Sequence, residues 1–95
     1  SRKKEKTRYD ILGVVYMFDQ KQFSNRLYEL RKDHDKTQAQ IAEYLQTTQQ
    51  QYQKYESGSQ ELPVRRLYQL AELYNVSADY ILGLPKNRIG QDKYD

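Results

Sequence analysis

The sequence predicts an all-α domain of five helices. Three observations carry that expectation. Glycine and proline are scarce, four and two in 95 residues, so there are few sites for the tight turns that join short strands. From Phe23 onward the apolar residues recur three and four apart, the spacing of a helix with one buried face. That pattern is punctuated by Thr37, Thr48 and Ser77 at candidate helix starts and by Gly58 and Gly83 at candidate ends, as side-chain caps and left-handed caps require.

Residues 1–8 hold five of the sixteen basic side chains and only Glu5, and read as a disordered basic arm. Residues 9–22 include Val14-Val15-Tyr16-Met17-Phe18. This run has strand propensity but no strand to pair with. It is either a short helix on the core or an element that pairs with a second copy, so residues 1–22 are set apart as arm plus extra element. Phe23, Leu27 and Leu30 begin a first helix that runs to about His34, where Asp35 tolerates a left-handed conformation. Thr37-Gln38-Ala39-Gln40 fits a capping box, and Ile41, Ala42 and Leu45 form the buried face of a short second helix. Thr47 and Thr48 offer the next cap, with Gln51 three residues after Thr48. Tyr52 and Tyr55 then supply the apolar face of a third helix, at about 48–56, ending at Ser57-Gly58. After a polar loop, Pro63 opens a fourth helix in its first turn, with Val64, Leu67, Leu70 and Ala71 inward. Ser77 caps a fifth helix, Val76 is placed to staple to Ile81, and Gly83 and Pro85 end it. The domain so defined is 23–83, with 84–95 as tail or linker.

Composition excludes several classes. There is no cysteine and one histidine, His34, so disulfides, thiolate metal sites and histidine clusters are out, and no metal or cofactor is expected. His34 reads as a surface residue favoured by a helix C-terminus. No run approaches the roughly 18 apolar residues of a membrane helix. The basic-then-apolar start lacks a small-residue cleavage site and is not read as a secretion signal; a cytoplasmic protein is expected. No nucleophile–base pair or phosphate-cradling glycine loop is present, so an enzyme is not expected. The ten tyrosines are expected to supply much of the aromatic core with their hydroxyls at the surface. Outside residues 1–8, eleven basic side chains face twelve acidic ones. Attraction to a polyanion must therefore rest on local placement.

The most informative feature is the join between the second and third helices. Two short helices linked by Gln46-Thr47-Thr48 make a helix-turn-helix pattern. Ala42 is small enough for close approach, and Ile41, Leu45 and Tyr52 close the angle. The third helix then presents Gln49, Gln50, Gln51, Gln53 and Lys54 outward, with no acidic residue among them. A glutamine amide matches the N6 donor and N7 acceptor of adenine in the major groove. Read by periodicity alone, the same glutamines are equally a polar helix surface.

From Arg26 to Gly83 the chain resembles the Cro/XRE family of regulators. The residues that carry the likeness are Arg26-Leu27-Tyr28-Glu29-Leu30-Arg31, Thr37-Gln38, Ile41-Ala42, Tyr55-Glu56-Ser57-Gly58, Leu70-Ala71 and Val76-Ser77-Ala78-Asp79-Tyr80-Ile81-Leu82-Gly83. Thr47-Thr48-Gln49-Gln50 is similar to the start of the reading helix in lambdoid phage repressors. The resemblance implies a lambda-repressor-like five-helix fold and sequence-specific binding of double-stranded DNA, as a transcriptional regulator and repressor. In this reading Gln49, Gln50, Gln53 and Lys54 read bases, while Gln38, Thr48 and Gln51 contact phosphates. Arg31 and Glu56 match positions that pair between the first and third helices. One reading helix covers few base pairs, so a homodimer on a palindromic site is expected. The near-neutral domain and its tyrosines also suit an alternative, an antitoxin or adaptor-type module that mainly binds protein. The chain departs from the family pattern in four places. Gln46 stands where glycine is usual, a position that favours positive φ. Tyr52 replaces a β-branched residue or leucine, Lys36 replaces leucine, and Ser59-Gln60-Glu61 lacks basic residues.

Deleting residues 1–8 is expected to weaken DNA binding without regard to sequence. It should also flatten the slope of log affinity against log salt by up to about 0.9 for each phosphate that the arm neutralises. Titrations at several salt concentrations check this; unchanged affinity and slope would reduce the arm to a solvated tail.

Overall fold

The structure is a computed structural model that describes residues 18–84. The basic arm, most of the 9–22 element and the tail from residue 85 lie outside the described residues. Five helices follow one another: α1 Gln20–Asp33, α2 Gln38–Tyr44, α3 Gln49–Ser57, α4 Val64–Tyr74 and α5 Ala78–Leu82. The described residues are all-helical, as the composition and spacing predict. α2 packs on α3, α1 lies against both α3 and α5, and α4 packs on α5.

Each helix starts where a local group satisfies its free amides. Asp19 accepts from the Lys21 and Gln22 amides at 3.0 and 3.1 Å. α1 therefore begins at Gln20, three residues before the expected start at Phe23. The Phe18 ring sits 5.6 Å from that of Phe23, the staple that fixes how a chain enters a helix. The capping box of α2 is complete: Gln40 N donates to Thr37 Oγ1 at 3.1 Å, and Thr37 N to Gln40 Oε1 at 2.8 Å. Thr48 caps α3 by accepting from Gln51 N at 3.1 Å. Ser77 caps α5 by accepting from Tyr80 N at 3.0 Å. Pro63 precedes α4 as its cap residue, one position before the helix rather than inside it.

The helix ends use left-handed residues. Asp35, Gln46 and Asn75 have φ of 54°, 61° and 57°, and Gly58 and Gly83 have 85° and 80°. Asp35 and Gln46 are the two non-glycine positions where the sequence pattern calls for that conformation. In the turn between α2 and α3 it lets Thr47 N reach Ala42 O at 2.9 Å, closing α2 before α3 starts.

The core takes one wholly buried side chain from each helix: Leu27, Ile41, Tyr52, Leu70 and Ile81. Phe23, Leu30, Ala42, Leu45, Tyr55 and Tyr74 complete it. Two expectations need correction. Val64 does not face inward; it is 80 % exposed, because α4 begins at Val64 and its first turn projects past the core. The inward stripe is instead Leu67, Leu70 and Ala71, and it ends on Tyr74, which the sequence reading missed. Nor do the core tyrosines keep their hydroxyls at the surface. Tyr52 is wholly buried, and its hydroxyl donates to Glu56 Oε2 at 2.7 Å. The Tyr55 hydroxyl accepts from Arg66 Nη1 at 2.6 Å.

Glu56 is the centre of the polar network that orients α3. Arg31 of α1 grips it twice, Nε to Oε2 at 2.7 Å and Nη2 to Oε1 at 2.9 Å. The Arg31 Nη1 donates to the Lys36 carbonyl at 2.9 Å, tying in the α1–α2 turn. Gln38, the first residue of α2, donates from Nε2 to Glu56 Oε1 at 3.1 Å. The Arg31 and Glu56 side chains are only 10 % and 6 % exposed. Burial pushes the Glu56 carboxyl up, but the hydrogen bonds from Arg31, Tyr52 and Gln38 outweigh it and hold the group below its ordinary value. The same pairing raises Arg31, chiefly through its hydrogen bond to Glu56. Burial, then the bond to Glu56, raises Tyr52 far enough that it stays a neutral donor.

The left-handed backbone at Gln46 is strained for a residue with a Cβ, and its side chain is exposed. Gln46→Gly should therefore raise stability by about 0.5–1 kcal/mol, the strain relief less the added flexibility of the unfolded chain. Urea unfolding of the two proteins checks the sign. For Glu56, a lowered folded-state pKa means that its contribution is present above the unfolded carboxyl value, about 4.3. That contribution is lost as pH falls through the folded value. Glu56→Gln should be less stable than wild type at pH 7 by about 2–4 kcal/mol, with a shallower decline below pH 5. Urea midpoints measured from pH 7 to pH 3 compare the two; parallel curves would contradict the pairing.

Candidate nucleic-acid interface

The outer side of α3 is set by what the inner side must bury. Tyr52 and Tyr55, three residues apart, turn inward and are buried. The residues left on the opposite side, Gln49, Gln50, Gln53, Lys54 and Ser57, are all exposed. They fall at steps of three and four and form one continuous stripe along the helix. Gln51 lies on the flank and is half-buried, with its amide N–H held by Thr48. Thr48 itself is exposed at the helix start. Of the seven residues expected to touch nucleic acid, five are thus exposed on α3 or at its cap, with Gln51 beside them.

Gln38 is the seventh, and the fold brings it to the same region. It is half-buried at the start of α2, and its amide is already committed on one side to Glu56. An ionised carboxylate only accepts, so Gln38 must turn its nitrogen toward Glu56. Its second N–H and its carbonyl oxygen remain for other partners. Arg31 and Glu56 lie behind this surface and satisfy each other.

The electrostatic character of the face follows from these placements. The exposed stripe of α3 carries Lys54 and no carboxylate. Glu56, the acidic residue of the helix, is neutralised by Arg31 at its back. The first turn presents its unpaired backbone N–H groups at the positive end of the helix dipole, an arrangement suited to an anion.

Two residues that sequence reasoning missed border this region. Asn25 and Tyr28 of α1 line a polar cleft together with Gln38, Gln53 and Ser57. Tyr28 is half-exposed, and the Arg31 guanidinium lies 5.4 Å from the centre of its ring. Their spacing of three along α1, on the side away from Leu27 and Leu30, was the available signal. It could be read only once α1 was known to cross beside α3.

Comparison with known proteins supports the helix-turn-helix fold. The helix-turn-helix family profile matches residues 27–81. An uncharacterized HTH-type transcriptional regulator of Bacillus subtilis, YobD, is 45 % identical over 62 residues, covering 65 % of this chain and 55 % of that protein. A second from the same organism, YqaE, is 35 % identical over 72 residues, covering 75 % of this chain and 62 % of its own length. The chain therefore spans little more than half the length of these relatives. Among solved structures, a transcriptional regulator from Listeria innocua superposes with a TM-score of 0.65 at 27 % identity, covering 77 % of this chain and 68 % of that one. The profile match spans the five-helix core and the turn between α2 and α3, and the chain belongs to the Cro/XRE-type helix-turn-helix family.

Proposed function

We propose that this chain binds double-stranded DNA in a sequence-specific manner and acts as a transcriptional regulator, with α3 in the major groove. The observation that carries the reading is the exposed amide stripe of α3, Gln49, Gln50 and Gln53, on a helix fixed from behind by a buried ion pair. Gln49 and Gln50 stand in the first turn, where a reading helix meets base edges. Gln53 and Lys54 follow one turn later, and Lys54 reaches either a guanine edge or a phosphate. Thr48, Gln51, the second N–H of Gln38 and the helix-start amides hold the backbone and set the register.

One α3 spans only a few base pairs, so the working unit is a homodimer on two half-sites. Repression by occupancy is the action assigned, in the cytoplasm where the DNA is. It is a binding role and not an enzymatic one. The relatives' names as transcriptional regulators support the class of function.

The reading is tested by separating base contacts from phosphate contacts. An operator is first selected from random duplexes. Gln49→Ala should then weaken operator binding by about 1–3 kcal/mol, the range for one bidentate base contact, and change binding to random duplex far less. Should Lys54 hold a phosphate, Lys54→Ala weakens both alike and reduces the salt slope by about one unit. Titrations of the two DNAs with each protein decide it, and equal losses on both for Gln49→Ala would remove base reading from that residue.

A further inference from the structure

A second surface feature lies away from the α3 stripe. A shallow apolar groove runs along α4 to the start of α5, floored by Leu67, Ala71, Val76 and Ala78 and edged by Val64 and Tyr68. Val64 is 80 % exposed and Tyr68 61 %. Large apolar side chains exposed side by side on a helix mark a surface that meets something.

We propose that this face of α4 is where two copies of the chain pair, α4 lying antiparallel to α4 of the partner copy about a twofold axis at Tyr68. This deepens the homodimeric reading given above and rests on it.

Charge complementarity selects a second copy as the occupant. Arg65, Tyr68 and Glu72 are spaced three and four apart, and so share one side of α4. At about 1.5 Å per residue, Arg65 lies about 4.5 Å to one side of Tyr68 and Glu72 about 6 Å to the other. A twofold axis through Tyr68 reverses that order on the partner. Arg65 of each copy then faces Glu72 of the other, once on each side of the axis. Neither residue has an ion-pair partner among the described residues. The Tyr68 hydroxyl donates to Glu72 Oε2 at 3.0 Å, which aims the carboxylate along this face. Antiparallel helices also set opposite dipole ends together. The interface is self-complementary, as a closed dimer requires, and Val64, Tyr68 and Ala71 leave water in the same step.

The test is sedimentation velocity of the whole 95-residue chain without DNA, over a wide concentration range, with thermal melts to confirm that each variant folds. Wild type should show a reversible monomer–dimer equilibrium. Arg65→Glu and Glu72→Arg each create two like-charge contacts per dimer and should raise the dissociation constant roughly tenfold. Combining both restores opposite charges across the axis and should return it to within roughly threefold of wild type. Val64→Asp should also weaken pairing, with no charge swap to rescue it. A wild-type dimer unaffected by these changes overturns the surface and leaves the homodimer standing. A monomer at every concentration, alone and on the selected operator, overturns both.

Discussion

The Glu56 carboxylate accepts four hydrogen bonds, two from Arg31 and one each from Tyr52 and Gln38. An ionised carboxylate taken out of water is tolerable only when its lone pairs are filled, and here every one of the four is used. The donors come from α1, α2 and α3, so the charge cannot be satisfied unless the three helices meet at one angle. Apolar packing alone would tolerate small rotations of α3 about its axis. The fork of Arg31 from α1 and the Gln38 bond from α2 do not, because each is directional. The face that α3 turns outward is thus set by a group on its inner side.

Tyr52 shows how a departure from the family pattern is absorbed. A residue with a phenol replaces an aliphatic one on the buried side of α3. The ring fills the volume, with 0 % exposure, and the hydroxyl would be stranded there. One helical turn on, Glu56 accepts it at 2.7 Å. The aromatic substitution and the ion pair are one arrangement: burial keeps the phenol neutral, and the neutral phenol helps to hold the carboxylate ionised.

Much of this was legible in the sequence because it is governed by near neighbours. Capping at Thr37, Thr48 and Ser77, and the left-handed ends at Asp35, Gln46, Gly58 and Gly83, depend on a few consecutive residues. What was not legible depends on contacts between distant segments. The burial of Tyr74, the exposure of Val64, and the meeting of Asn25 and Tyr28 with Gln53 all follow from where α1 and α4 cross their neighbours. The early start of α1 is an intermediate case. Phe18, Asp19 and Phe23 stand in staple-and-cap order, but the apolar run before them reads as a separate element. The pairing of Arg31 with Glu56 came from resemblance alone. Periodicity does not say that residues 25 apart form a bidentate pair.

The exposed residues of α3 include a single cation, Lys54. A single positive charge attracts phosphate weakly, while the exposed amides of Gln49, Gln50 and Gln53 lie together on the same face. In the proposed reading, affinity draws on other parts of the chain and on a second copy, with α3 reserved for discrimination. The most direct test of that division is a titration of isotope-labelled protein with the selected operator, followed by NMR of side-chain N–H groups. The account predicts that the Gln49, Gln50 and Gln53 amide signals shift on specific duplex and not on random duplex, while the Arg31 Nε–H signal stays where it is. Unmoved glutamine signals, or an Arg31 signal that moves with them, would contradict it.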